Sequence, residues 1–366
     1  MRLSNTLSFY IGRNFLLSFA VMFGLFLLLI LLFDTVELLR RAANKPDIGF
    51  SLVMEMAFLK LPHMGQQAVP FAVLFGGMVA FWRLARSHEL VITRAAGVSV
   101  WQFLLPVLGL AFLLGLFQIG VLNPLASTTI SRYERIEAVN LEGNKSFLAL
   151  SKSGLWLRQA NAEGQSVIHS NFILQVGQNV ELRDVIIFNY KGADQFSGRI
   201  DAETARLEDG FWHMINAWVN IPEMPPRFEK DYWLATDLTL NRIQDSFAPP
   251  ETMSFWDLPS FITTLTKAGF SAVRHRLYWH SLLASPFLMC AMVLIAATFT
   301  LRHSRQGGGA YVVGGGLLAG FILYFFSDIV FALGLSDSIP IILAAWTPSG
   351  VATLLGLATL LHLEDG

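Results

Sequence analysis

Phe15-Leu-Leu-Ser-Phe-Ala-Val-Met-Phe-Gly-Leu-Phe-Leu-Leu-Leu-Ile-Leu-Leu-Phe33 is apolar throughout except for Ser18. Wound as an α-helix it covers about 28 Å, close to the thickness of a bilayer's hydrocarbon core. It is too long for a signal-peptide core and no small-residue cleavage site follows it, so it reads as a retained first span. Five further stretches of comparable character lie within residues 61–82, 98–122, 277–301, 310–326 and 339–361. Together they make two groups of three spans separated by a long polar interval.

The whole composition agrees with a membrane protein. Of 366 residues, 54% are hydrophobic, 30 are Phe and only 14% are charged, which does not fit a soluble fold. A net charge of −1 offers no basic face for nucleic acid. The single cysteine, Cys290, lies in an apolar run, so an internal disulfide and a zinc site built on two or more cysteines are excluded. The expected division is spans one to three in residues 1–125, a soluble insert in 126–252, and an interfacial helix with spans four to six in 253–366.

Arginines near the span ends orient the chain. With the N-terminus inside, Arg2, Arg13, Arg83, Arg86, Arg94, Arg302 and Arg305 are cytoplasmic, while Arg40, Arg41, Lys45, Arg274 and Arg276 face outward. The insert then lies on the far side. It carries strand-like runs at 154–158, 166–170, 180–188 and 232–236, and a hairpin of 199–207 with 211–215 around Asp209-Gly210. Short strands with turns between them fit a sandwich, a jelly roll or an open barrel. Residues 254–267 read as a capped amphipathic helix at the outer membrane interface.

Chemistry in the spans is sparse. The chain has no Gly-x-x-x-x-Gly-Lys-Ser/Thr phosphate loop, and His88-Glu89 lacks the second histidine of a zinc-protease helix. Ser151 and Ser153 have no nucleophile-elbow context. Gly307-Gly-Gly309 and Gly314-Gly-Gly316 read as helix packing or hinge positions, not a nucleotide loop. Ionisable residues at span edges say more, because charges near hydrocarbon often mark a substrate path. Asp34, Arg40 and Arg41 at the outer end of span one, and Asp328 near the outer end of span five, are the lipid-binding candidates. A guanidinium suits bidentate contact with phosphate. Between spans two and three, Arg83-Leu-Ala-Arg-Ser-His-Glu-Leu-Val-Ile-Thr-Arg-Ala-Ala-Gly97 sets the carboxylate of Glu89 among Arg83, Arg86 and Arg94, a pattern able to dock on a basic cleft.

This pattern resembles the LptF/LptG permeases of the bacterial lipopolysaccharide exporter over essentially the whole chain. The likeness rests on Arg86-Ser-His-Glu-Leu-Val-Ile-Thr-Arg-Ala-Ala-Gly97 after span two, Tyr10-Ile-Gly-Arg13 before span one, and Pro62 and Pro70 in span two. Asn123-Pro124 at the exit of span three and Trp346-Thr-Pro-Ser349 in the last span extend it. The start of the chain and Leu38-Leu-Arg-Arg41 look more like the LptG branch. The resemblance implies an inner-membrane ABC transporter permease that extracts lipopolysaccharide. It would pair with an LptF-like paralogue, work with an LptB-like ATPase dimer and meet an LptC-like periplasmic protein. The chain is then not itself an enzyme and has no cofactor, ATP being used by the ATPase. Residues 84–97 become a coupling helix in which Glu89, flanked by Arg86 and Arg94, contacts the ATPase. Arg40 and Arg41 become phosphate contacts, and the insert becomes a periplasmic all-β jelly-roll-like domain. One departure stands out: Asp34 occupies the place of a lysine in a well-known relative. The alternative is a permease-like scaffold or sensor that binds a periplasmic partner without moving lipid.

Overall fold

A computed structural model describes residues 5–43, 45, 49–87, 89, 92, 97, 99–137, 140–141, 148–151, 154–161, 164–176, 179–191, 195–208, 210–236, 248–267, 271–303 and 309–364. Six helices are long and apolar enough to cross a membrane. The chain forms two units: Met1–Leu141 with Glu251–Trp256 and Arg276–Gly366, and Glu142–Pro250 with Asp257–His275.

In the first unit the helices outrun the apolar stretches that predict them. They are α1 (Asn5–Ala42), α2 (Phe50–Arg86), α3 (Val100–Phe117) and α4 (Asn123–Glu137), then α6 (Val273–His303), α7 (Gly309–Leu335) and α8 (Ile341–Glu364). The helix itself does not end at Asn123-Pro124. A π-type turn, Gln118–Leu122, joins α3 to α4 directly before the proline, so the irregularity absorbs a residue that has no N–H to give.

The core of this unit runs through Phe15, Leu74, Phe81, Leu104, Val107, Met289 and Val293. Lipid tails are as apolar as these side chains, so helix association depends on close packing, and glycines supply it. Gly76 lies against the backbone of Phe19, and Gly316 against Met78. At Gly115 a methyl group would sit 2.4 Å from Cα of Pro286 on α6. Gly115→Val therefore removes most monodisperse protein from a detergent-purified preparation, whereas Gly109→Ala, at a position open for 4 Å, leaves the yield unchanged.

Several polar groups inside the bundle satisfy one another. Asn123, wholly buried, donates from Nδ2 to Oε1 of Gln66 (3.5 Å) and to the Tyr278 hydroxyl (3.3 Å), and its Oδ1 accepts from the Phe255 amide at 2.7 Å. Gln118 donates to the Gln66 carbonyl at 3.4 Å. In hydrocarbon each of these groups would be costly if left alone.

The second unit is an antiparallel sheet of seven strands: β1 (Leu148–Ser151), β2 (Gly154–Asn161), β3 (Gly164–Val176), β4 (Asn179–Lys191), β5 (Gln195–Glu208), β6 (Phe211–Asn220) and β7 (Arg227–Ala235). The described strands pair strictly in chain order. Links of a few residues favour such hairpins between consecutive strands, and an antiparallel sheet inserted between two sets of helices is the coarse architecture that the sequence predicts.

Alternation puts Leu155, Leu157, Ile168, Ile187, Ile200 and Trp212 in the core. It slips by one residue along a single row of three strands: Leu182 and Val185, Ala202 and Ala205, and Met214 and Ala217 are all buried. Asp184 (φ 53°) and Asn216 (φ 55°) take the left-handed conformation that permits this, and Asn216 Nδ2 donates to Glu203 Oε2 at 2.7 Å. The helix expected at the membrane interface, α5 (Leu258–Lys267), joins this core through Phe261, Ile262 and Leu265. Its apolar stripe packs on the sheet.

Candidate functional site

Helix α1 carries a charged site near each end. At its C-terminal end the sequence places Glu37, Arg40 and Arg41 within one turn, and the structure binds them together. Arg40 donates from Nε and Nη2 to the two Glu37 oxygens, each at 2.8 Å, a bidentate pair. Arg41 Nε donates to Glu37 Oε1 at 3.0 Å, and its Nη1 to Glu137 on α4 at 3.1 Å. The Tyr133 hydroxyl donates to the same Glu137 oxygen at 3.1 Å. The Arg40 side chain is 75% exposed and that of Arg41 50%, so the pairs lie in the open, where solvent screens them.

Asp34, one turn deeper on α1, is only 12% exposed and forms an ion pair with Lys60 of α2. Lys60 also lies 5.5 Å from the centre of the Tyr133 ring. His63, one turn on from Lys60, faces Gln67 at 3.2 Å. Asp34 thus stands as half of a neutral pair and adds no bare negative charge beside the arginines. The fourth lipid candidate, Asp328, lies exposed on α7, a helix that packs on α2 and α8. It is not drawn into the α1 cluster.

At the N-terminal end of α1, Tyr10 donates its hydroxyl to Glu89 Oε1 at 3.2 Å. Helix α2 stops just before this point, where Ser87 turns its hydroxyl back to the Arg83 carbonyl at 3.1 Å. Beneath Glu89 is a cavity of about 180 Å³ walled by Leu7 and Ile11 of α1, Leu84 of α2, Phe103 of α3 and Ile92. Ile92 itself is two-thirds exposed, so it presents an apolar knob as well as lining the cavity. Arg86 stacks over Trp82, 5.2 Å from the ring centre, and is exposed. Arg94 lies outside the described residues.

A larger cavity, about 460 Å³, opens between α6, α7 and α8. Ile295, Phe299, Phe326 and Leu355 form its walls, and its hydroxyls, Thr298 and Thr359, meet each other at 3.1 Å. Nothing there addresses a polar headgroup.

Sequence reasoning found Glu89, Arg86, Arg40, Arg41 and Asp34 but missed two partners. Lys60 was legible in principle: one acid and one base lie at matching depths on adjoining spans, and intramembrane charges pair. Tyr10 was not, since it stands 79 residues from Glu89 and only the packing of α1 on its neighbours brings them together.

Comparison with known proteins points one way. Residues 9–362 match the family described as lipopolysaccharide export system permease LptF/LptG. The chain is similar to the lipopolysaccharide export system permease protein LptG of Escherichia coli K12, at 24% identity over 96% of this chain and 97% of that one. It is similar also to LptG of Haemophilus influenzae, at 24% identity over 94% and 95% of the two chains.

Proposed function

Because this chain belongs to the LptF/LptG family of lipopolysaccharide export system permeases, we propose that the two charged ends of α1 divide the work of export. Energy enters at Glu89, and lipid phosphate is held at Arg40 and Arg41. The protein is a multi-pass permease of the inner membrane, and ATP is hydrolysed by a separate LptB-like dimer in the cytoplasm. The observation that carries this reading is the exposure of Arg40 and Arg41 beside a single shared carboxylate. A lipid phosphate has to displace Glu37 from both arginines and Glu137 from Arg41, and its three oxygens suit two guanidinium forks.

The paired state of Asp34 supports the same reading, since Lys60 cancels the charge that would otherwise repel a phosphate about two turns away. Helices α1 and α7 bear long apolar faces, with Leu25, Leu28 and Leu32 on one and Leu317, Phe321 and Phe325 on the other left exposed. An LptF-like paralogue covers these faces and encloses the lipid between the two permeases. The insert between spans three and four lies on the periplasmic side, where its jelly-roll-like sheet passes lipid to an LptC-like protein.

Arg40→Glu combined with Arg41→Glu lowers photocrosslinking to lipopolysaccharide roughly tenfold or more, by the loss of two charge-assisted contacts. The same variant still co-purifies with its paralogue and the ATPase. Undiminished crosslinking places the phosphate elsewhere.

A further inference from the structure

Helix α1 packs on α2 through its middle as well as at its ends: Phe19 lies against Gly76, Phe23 and Leu27 against Gly65, and Asp34 pairs with Lys60. Val21, Leu25, Leu28 and Leu32 are exposed. A continuous helix backed in this way transmits displacement along its axis, and 30 residues from Tyr10 to Arg40 span about 45 Å. Near its N-terminal end the contacts of Ile11 and Phe15 are apolar and have no preferred direction. The Tyr10 hydroxyl on Glu89 is directional and ties that end of α1 to Glu89.

We propose that Tyr10 is a positioning residue for energy coupling: it ties α1 to the Glu89 segment, so that a displacement imposed on Glu89 is passed along α1 to the arginines at its far end. The inference rests on the reading that the ATPase engages Glu89. A carboxylate accepts at both oxygens, so a bond from Tyr10 to Oε1 is compatible with an ionic contact from the ATPase. Tyr10 is half-exposed, so its ring is not a core element whose loss would collapse the bundle.

The test uses the full complex in proteoliposomes with lipopolysaccharide. It measures lipid delivered to a periplasmic acceptor per ATP hydrolysed, for the wild type and for Tyr10→Phe. This ratio does not depend on how much complex has folded, so a merely structural defect leaves it unchanged. Loss of one hydrogen bond on the coupling path lowers it about two- to tenfold. If the wild type delivers lipid and Tyr10→Phe has the same ratio, the tie through Tyr10 is wrong while the export reading stands. If the wild type hydrolyses ATP without delivering lipid, the export reading falls and the inference falls with it.

Discussion

Glu89→Arg abolishes ATP-driven lipid movement and strips the ATPase from the purified complex. The substitution changes the local charge by two units in a segment already flanked by Arg83 and Arg86. It also replaces the acceptor for the Tyr10 hydroxyl with a group that can only donate. Truncating one side of a desolvated charge pair typically costs 2–5 kcal/mol, and reversal adds repulsion, so affinity for the ATPase falls roughly a hundredfold or more. Pull-down of the ATPase and its turnover in the same preparation measure this. An intact complex with wild-type transport removes Glu89 from the coupling path.

Lys60→Met is the second large effect, and it acts on stability. The substitution leaves the Asp34 carboxylate, 12% exposed, without its ionic partner among apolar helices. Breaking such a pair from one side costs about 3–5 kcal/mol, and the partial exposure of Lys60, at 24%, sets the expectation at the lower end. Asp34→Leu together with Lys60→Met recovers most of the loss, since two apolar groups of similar volume need no partner. Thermal unfolding of the detergent-purified variants gives the comparison. Equal midpoints for Lys60→Met and the wild type show that Asp34 finds water or another donor.

The six spans were legible because a bilayer demands about 20 apolar residues in a row and little else in a sequence makes that pattern. Their ends were less so, because α2 and α4 continue into polar segments held by specific contacts. Arg132 on α4 with Glu55 on α2, at 2.7 Å, is one of them. Strand positions in the insert followed from alternation and from Asp209-Gly210. The slipped row at Asp184 and Asn216 did not, since a left-handed residue leaves no mark on the pattern beyond a shift of one. The partner of α5 was not legible for a related reason: an apolar stripe records that a helix buries one face, not what receives it.

At the site, residue type identified the charged groups and topology placed them at span ends. Pairing decided their meaning. Asp34 looked like a negative charge in a phosphate path until Lys60 was found against it. Glu89 looked like a free docking carboxylate until Tyr10 was found bonded to it, which turns a surface contact into a link to the helix that bears Arg40 and Arg41.

The most direct test of the central claim is the ATP hydrolysis rate of the complex, purified from its native membrane and reconstituted with and without lipopolysaccharide. The lipid raises the rate, and Arg40→Glu with Arg41→Glu suppresses the rise while the basal complex persists. A complex that hydrolyses ATP at one rate, whether or not lipid is present, contradicts the claim and leaves the chain as a scaffold that binds its partners without moving lipid.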